Sequence, residues 1–273
     1  LLEPNDCYRV TENIEIVVMA AAKSSGAAVM EKTPLVHLTP NLIMNSQMLA
    51  ASYENKVKNF CFISSNTVYP VSESPVSEDD SSYDFFEKYY IVGWMKKFSE
   101  IMCDMYSNHI NLPMQTTIVR PGNLYGPFDK FNKAESKVIA ALVRRALEEE
   151  NPFIVWGDGY DVKDFLYIDD FVEGLLLAIS KLNDSQPINI ASGKPITIRE
   201  VLDVILNKTN NSVQNVKYDS TKPTMIPKRL INIDKMVKTT GWSPKVPIDV
   251  GIEKTINWYK NYYNGKTPEE VER

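Results

Sequence analysis

Cysteine is scarce. Cys7, Cys61 and Cys103 are the only three in 273 residues and stand far apart, which excludes a disulfide framework and the paired spacings that hold zinc. Histidine is scarcer still: His37 and His109 are too few for a histidine-built metal site, so no metal is expected and both are read as structural. No apolar run approaches the roughly 20 residues of a membrane-spanning helix. No block of one charge is present either. The net charge of −5 is spread along the chain, and nothing favours nucleic acid or a membrane surface as a partner. Glycine is missing from the start: none of the 11 precedes Gly26. The chain opens on Leu1 rather than Met, and its first strand reads as one that enters mid-fold. An earlier segment is therefore expected to be missing, and a signal peptide is left open.

What is present is ordinary globular material. The chain is 44% apolar, 10% aromatic and 24% charged, enough for one large α/β domain, alone or with a smaller lobe. Residues 1–13 are polar without a clear period. Residues 14–20 form a short β-branched run, read as a buried parallel strand. It ends in Ala20-Ala21-Ala22-Lys23-Ser24-Ser25-Gly26, small residues that suit either a tight turn or the approach of something flat to the backbone. Helices are predicted over 34–54, 90–106, 134–150, from Asp169-Asp170 to about 179, 197–206 and 248–262. Strands are predicted over 59–64, 115–119, 153–156, 164–168, 188–190 and 228–233. This alternation predicts a doubly wound parallel sheet, Rossmann-like but without its first β-α-β portion, and a smaller C-terminal substrate lobe. Residues 1–133 are assigned to a partial dinucleotide-binding domain that 153–156 and 164–168 rejoin, 134–263 mainly to the lobe, and 264–273 to a flexible tail.

The stretch from Cys61 to Lys97 organises the rest. A buried strand stops on Ser64-Ser65, and the next helix carries Lys96. A strand-end hydroxyl and a lysine on the following helix converge in the crevice of an open α/β sheet. Each residue also has a plain structural reading. Ser64 and Ser65 can satisfy strand-end backbone groups, and Lys96 can be a solvated lysine like Lys97. Arg144 and Arg145 can face Glu148 and Glu149, and Trp156 can be core. Asn207-Lys208-Thr209 and Asn210-Asn211-Ser212 match a glycosylation pattern that is common by chance.

Several short pieces occur in a telling order: Ala20-Ala21-Ala22-Lys23; Ser64-Ser65 with Tyr69-Pro70; Asn123-Leu124-Tyr125-Gly126-Pro127; Val138-Ile139 with Leu142 and Arg144-Arg145; Val155-Trp156-Gly157-Asp158-Gly159; Phe165-Leu166 with Asp169-Asp170; and Pro227-Lys228-Arg229 before Gly241-Trp242. With them the chain resembles the extended short-chain dehydrogenase/reductase (NAD-dependent epimerase/dehydratase) family, and within it the GDP-L-fucose synthase branch. The resemblance implies a cytoplasmic enzyme that uses NAD or NADP on a nucleotide sugar, a GDP-sugar above all, and a homodimer formed through the helices around the lysine. It assigns Ser65 to the sugar oxygen that becomes carbonyl or alkoxide, and Lys96 to the nicotinamide ribose. Ala20, Ala21, Ala22, Ser64, Pro121 and Asn123 would lie against the cofactor. Asn123, Arg145, Trp156 and Lys163 would hold the sugar nucleotide, with the guanidinium fork on phosphate.

Three departures accompany the resemblance. The glycine-rich turn that cradles a pyrophosphate is absent, and with it the residue that chooses between NAD and NADP. The family's catalytic tyrosine stands four residues before the lysine, where this chain has Val92. Tyr89, seven before Lys96, would lie about 10 Å away along a helix, although a later helix start would let Tyr89 or Tyr90 fold back. The branch's acid/base cysteine and histidine correspond to Thr67 and Lys137, which are the remaining proton carriers along with a bound water. Asn66 and Thr67 also replace the Asp-Glu pair of the family's dehydratases. The alternative expectation is a sugar-nucleotide-binding homologue or partner subunit that has lost the redox step.

Overall fold

The structure, a computed structural model, describes residues 1–24, 32–182, 184–209 and 215–271. Ser25 and Gly26 of the first turn, and the Asn210-Asn211-Ser212 pattern, lie outside them. The central strand, β2 (Asn59–Ile63), is apolar along almost its whole length and buried on both faces, as a parallel strand covered on two sides must be. It pairs in parallel with β1 (Ile16–Met19) and β3 (Gln115–Pro121), and β3 pairs in parallel with β7 (Pro187–Ile190). The sheet order is β1-β2-β3-β7.

Alternation along β2 sorts the helices. Phe60 and Phe62 pack with Val17, Met19, Met48, Leu49 and Cys103, beneath α1 (Pro4–Thr11), α2 (Thr39–Glu54) and α3 (Tyr90–Asn108). Cys61 faces the other way, among Val119, Phe171, Leu175, Ile188 and Met236, the last three from α5 (Ile168–Lys181), β7 and α7 (Asp234–Thr240) with Phe171. Helices thus cover both faces, and the doubly wound α/β fold expected from the sequence is the one observed.

The lobe contains α4 (Val138–Leu147), α6 (Ile198–Thr209) and α8 (Ile248–Tyr263) around one apolar cluster. Its strands differ from expectation. β5 (Phe153–Trp156) pairs with β9 (Val216–Asp219), and β6 (Val162–Tyr167) runs parallel to β4 (Asn123–Tyr125) and antiparallel to β8 (Pro195–Thr197). Neither 153–156 nor 164–168 rejoins the main sheet, whose fourth place is taken by β7. The reason lies in packing. Phe153 and Val155 are drawn into the lobe's core, whereas Ile188 and Ile190 fill the core behind β3.

Other differences are local. The first 13 residues contain α1, which begins at Pro4 and buries Cys7 and Thr11. Residues 228–233 make only isolated bridges, Lys228 to Val162 and Ile231 to Val76. The expected flexible tail contains a helical turn, α9 (Pro268–Val271). It is tied down where Glu269 accepts the Lys133 N–H at 2.8 Å. Among the described residues no helix is long and apolar enough to cross a membrane.

Candidate active site

Parallel register brings three strand ends to one edge. Met19 lies beside Phe62, Ile63 beside Val119 and Pro121 beside Ile190. Ala20 to Ala22, Ser64-Ser65 and Pro121 to Asn123 therefore leave the sheet along the same crevice, where open α/β sheets take ligands. Ala20 to Ala22 are exposed. Their backbone is fixed just beyond, where Lys23 N–H donates to Asn41 Oδ1 (2.8 Å) and Asn41 Nδ2 donates back to Lys23 O (3.0 Å). His37 is buried with Nδ1 3.0 Å from the same oxygen, the structural role its sequence context suggested.

The two serines part company. Ser64 is buried, and its hydroxyl donates to Glu100 Oε1 at 2.5 Å. It is committed to the protein interior and is not presented to a cofactor, contrary to expectation. Ser65 is half-buried, and its Oγ accepts the Thr67 N–H at 3.2 Å, capping the 3₁₀ turn Asn66–Val68. Its own proton remains available to an oxygen in the crevice.

Behind Ser64 lies a buried polar chain that sequence reasoning missed. Arg120 Nε and NH2 hold the Glu100 carboxylate at 2.9 and 2.8 Å. Its NH1 donates to the Tyr69 hydroxyl (3.1 Å) and to Glu78 O (2.9 Å). Tyr69 in turn donates to Asn189 Oδ1 at 2.5 Å. A buried ion pair is tolerable only when its remaining lone pairs and protons are also satisfied, and here they are. Burial opposes the charge on Arg120, but the Glu100 carboxylate outweighs it and raises the pKa. Burial pushes the Tyr69 hydroxyl up to about 12. One sequence signal existed: Arg120 is a charge inside an otherwise apolar strand and so requires a partner.

Lys96 reaches the crevice. Its Nζ donates to Ile63 O at 2.7 Å and lies 4.9 Å from the centre of the Phe62 ring. Burial pulls its pKa down to about 8; Lys137 adds to the fall and Glu100 opposes it. Lys137, exposed immediately before α4, thus acts on Lys96 through its charge. Val92, one helical turn before Lys96, is half-buried and carries no proton. Neither tyrosine replaces it. Tyr89 closes the 3₁₀ turn Glu87–Tyr89, and its hydroxyl lies beside the Ile226 main chain, Arg229 and Asp161. Burial there pushes it up to about 12. Tyr90 is exposed and meets Phe85 and Trp94 edge-on. Thr67 Oγ1 is buried and has no hydrogen-bond partner.

The remaining candidates lie farther round the lobe. Asn66 Nδ2 donates to Pro121 O and Asn123 Nδ2 to Asp164 O, both at 3.0 Å. The buried Asp164 carboxylate accepts from Ser192 N–H, Ser192 Oγ and Gly193 N–H at 2.7, 2.7 and 2.8 Å. Burial pushes its pKa up to about 6. Arg144 is buried against Glu148 and Glu150 at 2.7 and 3.0 Å. Arg145 donates to the Ile154 carbonyl, with Nε 3.5 Å from Glu150. Trp156 is exposed at the end of β5. Lys163 pairs with Asp161 at 3.1 Å and donates to the Ile226 carbonyl, so Lys163 and Tyr89 converge on one segment. Lys96 and Ser65 share the end of β2 at the crevice, and Lys137 acts on Lys96 through its charge, whereas Ser64 is turned into the interior. Arg145 reaches Ile154 of β5, the strand that ends on Trp156.

Comparison with known proteins agrees with this architecture. The chain is 29% identical over 257 residues to GDP-L-fucose synthase 1 of Arabidopsis thaliana, covering 91% of this chain and 78% of that protein. The UDP-glucose 4-epimerase of Thermotoga maritima, solved with UDP-glucose, superposes with a TM-score of 0.85 at 24% identity, covering 96% of this chain and 82% of that one. A GDP-L-fucose synthetase from Naegleria fowleri gives 0.84 at 22% identity, with 97% and 83% covered. The sequence model of the NAD dependent epimerase/dehydratase family matches residues 1–191, and the chain belongs to that family.

Proposed function

We propose that this protein is a nucleotide-sugar epimerase or reductase that uses NAD or NADP, acts on a GDP-sugar and works in the cytoplasm. The carrying observation is Lys96, whose Nζ is held on Ile63 O at the strand end that presents Ser65. The relatives named for GDP-sugars support the substrate class. The residues present fit a nicotinamide cofactor in part. Ala20 to Ala22 offer an open, small-residue strand end, and Lys96 supplies an ammonium suited to ribose hydroxyls. Pro121 ends the neighbouring strand β3 on the same edge, and Asn123 begins β4 just beyond it. When bound, the nicotinamide supplies the hydride donor or acceptor. Ser65 donates a hydrogen bond to the sugar oxygen, keeping its own proton, and steadies the charge that develops there. Lys137, exposed opposite Lys96, carries the proton. Thr67 is set aside for that task, because its hydroxyl is buried and a threonine is a poor acid at neutral pH. Arg145, Trp156 and Lys163 would hold the nucleotide. Lys96→Ala is expected to lower cofactor affinity and turnover together, as read by cofactor titration and initial rates. Unchanged turnover would refute the assignment.

A second reading has its own observation: Val92 carries no proton, and Tyr89 and Tyr90 are engaged elsewhere. Under it the protein binds a sugar nucleotide without redox chemistry. Hydride transfer measured with Val92 in place would eliminate that reading. Tyr90, Trp94 and Phe98, spaced one turn apart on α3 and exposed at 55%, 37% and 46%, support a homodimer joined through this helix.

A further inference from the structure

The loop between β4 and α4 forms a second concavity over the lobe's last long helix; Lys96 is not among its lining residues, and Lys130 ties the loop to Ser24 O at 3.3 Å. Phe128, Trp258 and Tyr262 supply its apolar walls, and Asp129, Lys130 and Glu135 its polar ones, around a volume of about 290 Å³. Phe128 is unusual twice over. Its φ is +64°, in the left-handed region that a bulky side chain rarely adopts, and 78% of its surface is exposed. An aromatic ring held in a costly backbone conformation and facing solvent is a candidate contact surface. Its centroid lies 4.9 Å from Trp258 and 6.1 Å from Tyr262. Trp258 and Tyr262 stack on each other at 4.6 Å and 16°, so the platform has a rigid backing.

The shape selects the ligand. Phe128 and Tyr262 meet at 71°, which makes a corner rather than two parallel walls. A slot with parallel walls suits a flat base. A corner suits a thicker, puckered ring whose C–H face rests on one aromatic wall. The charges select further. Lys130 is paired with Glu135 at 2.8 Å, and Asp129 adds another carboxylate, so a phosphate gains no free cation here. Carboxylates and an ammonium do suit neighbouring hydroxyls on a neutral ring. The volume lies at the small end of ligand sites, the size of a single ring. We propose that this corner binds one unphosphorylated hexopyranose ring, a site separate from the crevice at Lys96.

The test is a titration of the whole protein with D-mannose, with L-fucose and with AMP, followed by saturation-transfer NMR. Saturable millimolar binding of at least one sugar is expected, without competition from AMP. Phe128→Ala and Tyr262→Ala should each weaken it about fivefold, the size of one aromatic contact. Glu135→Gln, a surface change that keeps the aromatic corner, should weaken it as well. Lys96→Ala should leave it unchanged. Absence of saturable sugar binding overturns the proposal. So does displacement of the sugar by AMP, or binding that survives the Phe128, Tyr262 and Glu135 changes.

Discussion

At the scale of single residues, the crevice turns on two lysines that repel. Lys96 falls from the usual 10.5 to about 8 through burial, which Glu100 opposes and the Lys137 charge assists. A depressed lysine means that the folded protein binds this proton less tightly than the unfolded chain. Its charged form therefore costs stability below about pH 8, and that cost disappears as the pH rises from about 8 towards 10.5. The proposed role requires the ammonium, so kcat/KM should decline as the pH rises through about 8. Lys137→Met removes the neighbouring cation and, whatever it does to turnover, should move the pH limb of cofactor binding to higher pH; a binding limb that stays put would show that the two charges do not meet. Ser65 and Lys96 were legible because strand-end and helix spacing place them. The Ser64–Glu100–Arg120–Tyr69 chain was not. It joins residues 20, 36 and 51 positions apart, with no periodic signal to reveal it. Nor was the direction of Tyr89 readable, since Ile226 and Arg229, far along the chain, decide it.

At the scale of elements, the position of α3 against the serine turn is set by Gly93. A Cβ there would stand 2.8 Å from Phe85 Cγ and 3.0 Å from Thr67 O. The carbonyl belongs to the turn that Ser65 caps and cannot yield without moving it. Gly93→Ala should therefore destabilise by about 1–3 kcal/mol, despite a gain in helix propensity of about 1 kcal/mol. Denaturant unfolding measures the balance, and a stabilised variant would show that the turn yields freely. Most strands and helices were readable from composition and period. Sheet membership was not. The runs at 153–156 and 187–190 have the same short apolar form, and only the cores they meet separate them. β9 escaped notice because Val-Lys-Tyr-Asp has no apolar run, and its pairing with β5 is what makes it a strand.

At the scale of the whole molecule, the outer face of α3 carries the proposed dimer. Tyr83 stacks on Trp94 at 5.2 Å and extends the apolar stripe beyond the helix. Trp94→Glu with Phe98→Glu should convert a dimer to monomer in light scattering coupled to size-exclusion chromatography. A wild-type protein that already runs as a monomer would remove the proposal. The long reach of the contacts has one more consequence. Arg229 donates to Tyr69 O at 3.0 Å and to Pro70 O at 2.8 Å, across 160 and 159 residues of sequence. Asn189 takes the Tyr69 hydroxyl from 120 residues away. During synthesis the serine turn leaves the ribosome long before either partner exists. The contacts that hold this turn from Asn189 and Arg229 are therefore made only after synthesis has passed those residues.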